Sequence, residues 1–200
     1  MSLVARGHTI TAVVRHPEKL PKRDRLSAMT GDVYDVAQLA NTLHGHEAII
    51  SAFNPGWKNP NLYNDQVRGT ECIIAALRSA DIKRVLWVGG AGGLEVGPGV
   101  RVIDAPDFPD WVKPGSLATI NALKQLRQHP ELEWSFLAPS AQLDPGERTG
   151  TFRLGRIVTS FATGVGTRNA QGVWTSGQAK RFLDYTRSVG GSISGSGVHE

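Results

Sequence analysis

The sequence holds a single cysteine, Cys72, among its 200 residues. That excludes an internal disulfide and suits a reducing compartment. Cys72 lies in an apolar pattern of helical spacing, so it reads as a core thiol rather than a nucleophile. Long hydrophobic runs are also lacking. The longest, at 47–53 and 85–88, fall far short of the roughly 20 residues that cross a bilayer. No apolar stretch of signal-peptide length stands near the start, so a cytoplasmic location without membrane contact is expected. Nor is charge clustered. Lys and Arg total 22 against 18 Asp and Glu, a net +4, but the cations are scattered and no nucleic-acid motif appears, so no nucleic-acid partner is expected. The six histidines, His8, His16, His44, His46, His129 and His199, lack metal-ligand spacing. His44-Gly45-His46 reads as a helix end leading into a strand, and no metal site is expected.

What remains is a globular composition, 40% hydrophobic and 20% charged, of a size suited to one domain with a substantial core. Up to about residue 150, short apolar runs alternate with longer amphipathic segments, the signature of βα units around a parallel sheet. Residues 2–6 read as the last turn of a helix stopped by Gly7. Strands are expected at 9–14, closed by Pro17, and at 25–30, ending at Gly31-Asp32. Asp35 can cap a helix through Leu43. A buried-type strand follows at 47–53, then a long helix over 62–79 that carries Val67, Ile73, Ile74 and Leu77. Further elements are a strand at 83–88 stopped by Gly89-Gly90-Ala91-Gly92-Gly93, a loop to Gly115, a helix at 117–127 and a strand at 134–137.

In an open parallel sheet, ligands bind outside the carboxyl ends of the strands. That rule nominates Arg15-His16, Gly31-Asp32-Val33, the stretch Ser51, Ala52, Phe53 and Asn54, and the glycines from Gly89 to Gly93. Arg15 is the most informative. An NAD-preferring fold usually places Asp or Glu after the second strand to bond the ribose 2′-hydroxyl. A guanidinium there suits a 2′-phosphate, so NADP is favoured over NAD.

These residues carry a resemblance. Arg6-Gly7-His8-Thr9-Ile10-Thr11-Ala12-Val13-Val14-Arg15 resembles the end of the first helix and the second strand of atypical short-chain dehydrogenase/reductases. Residues 31–33, 48–53, 88–92, 104–109, 134–139 and 145–150 are similar to the NADH-flavin reductase group within them, close to NmrA-like proteins. The likeness runs from about Leu3 to Gly155. It implies a Rossmann-like doubly wound α/β fold binding NAD(P)H, with adenosine near Arg15 and Asp32 and nicotinamide near Gly89, Gly90, Ala91 and Pro139.

The chain departs from that pattern twice. The family opens with a strand and a Gly-x-x-Gly-x-x-Gly loop that cradles pyrophosphate at a helix N-terminus. Met1 falls inside the helix that should follow, so the first strand and the loop are expected to be lacking, about twenty residues in all. The first strand is expected between the third and fourth, and its absence leaves unpaired edges through which the protein could self-associate, as well as marginal stability. After Arg156, Thr, Gly and Ser dominate without periodicity. The expected organisation is therefore an incomplete NAD(P)-binding domain over 1–155 and a tail over 156–200, disordered or produced by a shifted reading frame.

Typical short-chain dehydrogenases use Tyr-x-x-x-Lys, whose tyrosine gives a proton to the carbonyl oxygen. Tyr34, Tyr63 and Tyr185 each lack a lysine four residues on, and no residue is assigned a catalytic role. Hydride transfer to a carbonyl needs an acid, whereas a reduced flavin can take its proton from solvent. The expected function is thus an NADPH-dependent, flavin-reductase-like enzyme with FMN, FAD or a quinone-like small molecule as electron acceptor. The alternatives are a non-catalytic NmrA-like NADP sensor and an inactive truncated relative. Trp57 and Trp111 either stack on an isoalloxazine ring or pack loops onto the body. Asp104, Asp107 and Asp110 either rim a cleft or are simply solvated.

Overall fold

A computed structural model describes residues 3–97 and 99–139. The stretches at 145–150 and the tail from Arg156 lie outside the described residues.

Glycine does stop the first element, but that element is one 3₁₀ turn, Val4–Arg6. Gly7 follows at φ 90° and its N–H returns to the Val4 carbonyl. Strands β1 (Ile10–Val14) and β2 (Leu26–Thr30) pair in parallel through five residues each. Helix α1 (Val36–Leu43) starts as expected, the Asp35 carboxylate accepting the Gln38 N–H at 2.9 Å. Such a cap contributes about 1 kcal/mol. Strand β3 (Ile49–Ser51), helix α2 (Leu62–Ser79) and strand β4 (Arg84–Val88) follow. A small antiparallel hairpin, β5 (Glu95–Gly97) with β6 (Val100–Arg101), then precedes helix α3 (Lys113–Arg127) and strand β7 (Glu133–Leu137).

Three boundaries differ from expectation for physical reasons. Strand β3 is shorter than 47–53, because beyond Ser51 the chain turns onto α2, where the Phe53 carbonyl takes the Gln66 amide and the Phe53 ring lies on Gly69. Helix α3 starts four residues before Leu117, since its proline occupies the first turn, where no amide donor is needed. The hairpin occupies part of the stretch read as loop, its turn made by Gly99 at φ 74°.

The larger sheet has the order β3-β4-β7, all parallel. Register sets its two faces. Ser51, Trp87 and Phe136 stand in line, each buried, while Ile50, Leu86 and Ser135 share the other face, where Ile50 is 51% exposed. The first face meets α1, α2 and α3, which together bury Leu43, Ile73, Leu77, Ala122 and Leu126 against Val85, Trp87, Trp134 and Phe136. Each such large apolar side chain is worth about 1.5–3 kcal/mol of burial.

The ladder breaks between β1 and β3, not between the third and fourth strands of the family order as expected. β2 is the outer strand, almost wholly exposed, whereas β1 is half-buried throughout. β1 faces the larger sheet: Val13 packs against its core, and Thr11 Oγ1 lies 3.0 Å from Nε2 of His46, just ahead of β3. Among the described residues no ladder joins β1 to β3. None of the described helices is long and apolar enough to cross a membrane.

Candidate functional site

The carboxyl ends of β3 and β4 open into one cavity of about 200 Å³. Its base is Val88, Gly89 and Gly90; one wall is Ala52, Phe53 and Asn54 with Gln66 of α2; the other is Gly115, Ser116 and Thr119 at the start of α3, and Trp57 also lines it. Among the described residues no ionisable side chain lines the cavity.

Close approach explains its glycines. A Cβ on Gly89 would run into the Phe136 ring, and one on Gly115 would come within 2.7 Å of Trp57 Cζ3. Real side chains do not tolerate such contacts, so backbone and ring take the space a side chain would need. Trp57 in turn meets Trp111 edge to face, with centroids 5.9 Å apart at 74°. Trp57 is 55% exposed and Trp111 71% exposed, so Trp57 packs its loop onto α3 while both rings still face solvent.

Two buried polar atoms beside β3, Oγ of Ser51 and Oε1 of Gln66, have no partner among the described residues. A buried acceptor left without a donor costs about 1–3 kcal/mol.

Of the residues nominated from the sequence, Ala52, Phe53, Asn54, Gly89 and Gly90 line this cavity. Ser51 is buried at the end of β3, and Ala91 opens the 3₁₀ turn Ala91–Gly93. Pro139 is half-buried two residues after β7. Arg15 and His16 stand exposed after β1, His16 Nδ1 lying 3.1 Å from Glu18 Oε1. After β2, Asp32 Oδ1 accepts the Tyr34 N–H at 3.0 Å, which shapes the turn into α1, and Val33 packs against the core. Arg15, His16, Asp32 and Val33 thus belong to the other sheet fragment and do not line the cavity.

Sequence reading missed Gln66, Gly115, Ser116 and Thr119. A signal existed for the first: Leu62, Gln66, Thr70, Ile73 and Leu77 form the buried stripe of α2, and a glutamine at a core-facing position asks for a reason.

The remaining candidates are structural. Both ring nitrogens of His46 are engaged, Nδ1 with the Leu43 carbonyl at 3.2 Å and Nε2 with Thr11. Asp104 is held by both arms of Arg101 at 2.7 and 2.8 Å, and Asp110 by Lys113 at 2.6 Å. Those hydrogen bonds depress both carboxyl pKa values. Burial raises the Cys72 thiol pKa and, with Asp65 nearby, that of Tyr34. The Tyr34 hydroxyl donates to the Asp65 carbonyl at 3.1 Å, with the Arg68 guanidinium 4.8 Å over its ring, so it is a packing group rather than a proton donor.

A glycine-based cavity thus lies beyond β3 and β4, and an exposed cation, Arg15, follows β1 in the other sheet fragment. Among the described residues no glycine-rich loop opens a helix of the kind that receives a pyrophosphate.

Comparison with known proteins agrees with the fold. A family model described as NAD(P)H-binding matches residues 1–170. YwnB of Bacillus subtilis, a protein of uncharacterised function, is 33% identical over 154 residues, 76% of this chain and 70% of that one. A proposed epimerase from Bacteroides thetaiotaomicron superposes with a TM-score of 0.76 at 33% identity, covering 92% of this chain and 82% of the other. A proposed NADH-flavin reductase from Streptococcus pneumoniae gives 0.69 at 28%, covering 93% and 84%.

Proposed function

The chain belongs to the NAD(P)H-binding family of Rossmann-fold proteins, and on that premise we propose that it is an NADPH-dependent reductase delivering hydride to a flavin or quinone-like acceptor. The observation that carries this reading is the cavity beyond β3 and β4, which the described residues line without an ionisable side chain. Reduction of a carbonyl to an alkoxide calls for a positioned acid, whereas a reduced flavin is protonated by solvent. Such a site acts by orientation alone, which is worth a large part of a transfer barrier.

In this reading Gly89, Gly90 and Ala91, with Pro139, hold the nicotinamide half, and Ser51, Ala52 and Phe53 hold its ribose. Asp32 and Val33 lie along the adenine. Arg15 meets the 2′-phosphate, which selects NADP over NAD. When bound, the nicotinamide supplies the hydride; the chain's residues fix its face and keep water from the reacting carbon. FMN and FAD are the acceptors expected, entering past Trp57 and Trp111.

The same uncharged lining supports a second reading, a sensor of the NADP ratio that binds without turnover. Steady oxidation of NADPH, followed by its absorbance with FMN, FAD or menadione present, separates the two. Turnover supports the reductase, and saturable NADPH binding with no turnover supports the sensor.

A further inference from the structure

The side-chain amide of Gln66 is only 2% exposed as a residue, and its orientation is fixed by chemistry. Nε2 lies 3.0 Å from the Phe53 carbonyl oxygen. A carbonyl only accepts, so the NH₂ must face it and the oxygen must point the other way. The helix holds the residue in place further, since the Thr70 hydroxyl bonds the Gln66 main-chain carbonyl at 2.9 Å. What is left is Oε1, an acceptor buried in a residue that lines the cavity, with no donor among the described residues.

We propose that Gln66 Oε1 receives an amide-type N–H from a planar ring seated in this cavity. Folding leaves such an acceptor unpaired only at a cost, and a ligand that supplies the donor recovers it. The cavity, about 200 Å³, is smaller than the roughly 300 Å³ at which sites for whole drug-sized ligands begin. It takes one edge of a ring system, with the remainder outside against Trp57. Two molecules of the reductase reading carry the required group, the carboxamide of nicotinamide and the pyrimidine edge of a flavin. A quinone carries only acceptors and leaves Oε1 unpaired, so the geometry favours flavins over quinones. The assignment rests on the reductase reading for the identity of the ring, not for the need of a donor.

Binding alone tests it. Tryptophan quenching gives dissociation constants for lumiflavin against 3-methyllumiflavin, and for NADP⁺ against nicotinic acid adenine dinucleotide phosphate. In each pair the second member lacks the donor. The wild type is expected to prefer the donor-bearing member by about tenfold or more in at least one pair. Gln66→Met, of similar length and without an acceptor amide, is expected to shrink that preference to under about threefold. The pair that responds identifies the ring. Equal binding within both pairs, preference that survives in Gln66→Met, or no binding of any of the four overturns the proposal. If Gln66→Met does not fold, the wild-type comparison decides. NADP⁺ binding without discrimination removes Gln66 and leaves the reductase reading. Flavin discrimination without NADP⁺ binding does the reverse.

Discussion

Gly89 lies directly against the ring of Phe136, with its N–H bonded to the Leu137 carbonyl at 2.8 Å. The contact joins the carboxyl end of β4 to that of β7 and sets the base of the cavity. Any side chain at 89 must displace a buried ring. Gly89→Ala is therefore expected to destabilise the protein by about 1–3 kcal/mol in urea melts, the usual range for overpacking. The double variant with Phe136→Leu should recover most of that loss. Additive effects of the two changes would show that the ring is not the obstacle.

Trp111 offers the opposite case. At 71% exposure it contributes little to folding, so Trp111→Ala should leave stability within about 0.5 kcal/mol. If the ring receives a flavin at the mouth of the cavity, the same change should weaken FMN binding several-fold by fluorescence titration. Unchanged FMN affinity would assign Trp111 to loop packing.

Arg15 stands at the other end of the proposed dinucleotide site. Arg15→Ala is expected to raise the NADPH dissociation constant about tenfold or more, the worth of one charged hydrogen bond, and to leave NADH unaffected. An equal loss for both cofactors would remove Arg15 from the 2′-phosphate.

Acid should act through Asp104, Asp110 and Glu131, whose folded pKa values are lowered chiefly by hydrogen bonds from Arg101, Lys113 and His129. A depressed folded pKa gives stability that is present above the unfolded value and lost as pH falls through the folded one. Stability in urea should thus decline below the ordinary carboxylate range, less steeply in Asp104→Asn and in high salt, which screens exposed pairs. A decline of the same slope in that variant would place the acid sensitivity elsewhere.

The strand ladder has an interruption at β1 and β3, each paired on one side only among the described residues. Backbone groups without partners weaken a sheet. A thermal midpoint within or below the usual mesophile range, about 45–65 °C, is expected by circular dichroism. A cooperative melt well above it would show that the interruption carries no cost.

Much of this architecture was legible in local chemistry. Asp35 caps α1 because a short carboxylate satisfies a free helix amide, and Leu62–Ser79 declares itself by its apolar stripe. What local pattern could not give is spatial. Helix α3 begins at a Lys-Pro-Gly sequence that reads as loop, because proline's lack of an amide is harmless only in a first turn. The strand-end rule found Gly89 and Phe53, but the facing wall comes from α3, more than twenty residues further on, where Gly115 is required by Trp57 rather than by any turn. Gln66 was visible as a polar residue on an apolar stripe, though its meaning needed the Phe53 carbonyl beside it. Arg15 and Asp32 were found at strand ends, yet the order of strands decides that they stand apart from the cavity.

The strand ends of this chain are proposed to form a nicotinamide-nucleotide site selective for the 2′-phosphate. Its most direct test is a titration of the 200-residue chain with NADPH, followed by energy transfer from tryptophan to the reduced nicotinamide, with NADH alongside. Saturable transfer is expected, since Trp57 lines the cavity, with at least tenfold tighter binding of NADPH than of NADH. A folded sample that shows no saturable transfer with either nucleotide would contradict it.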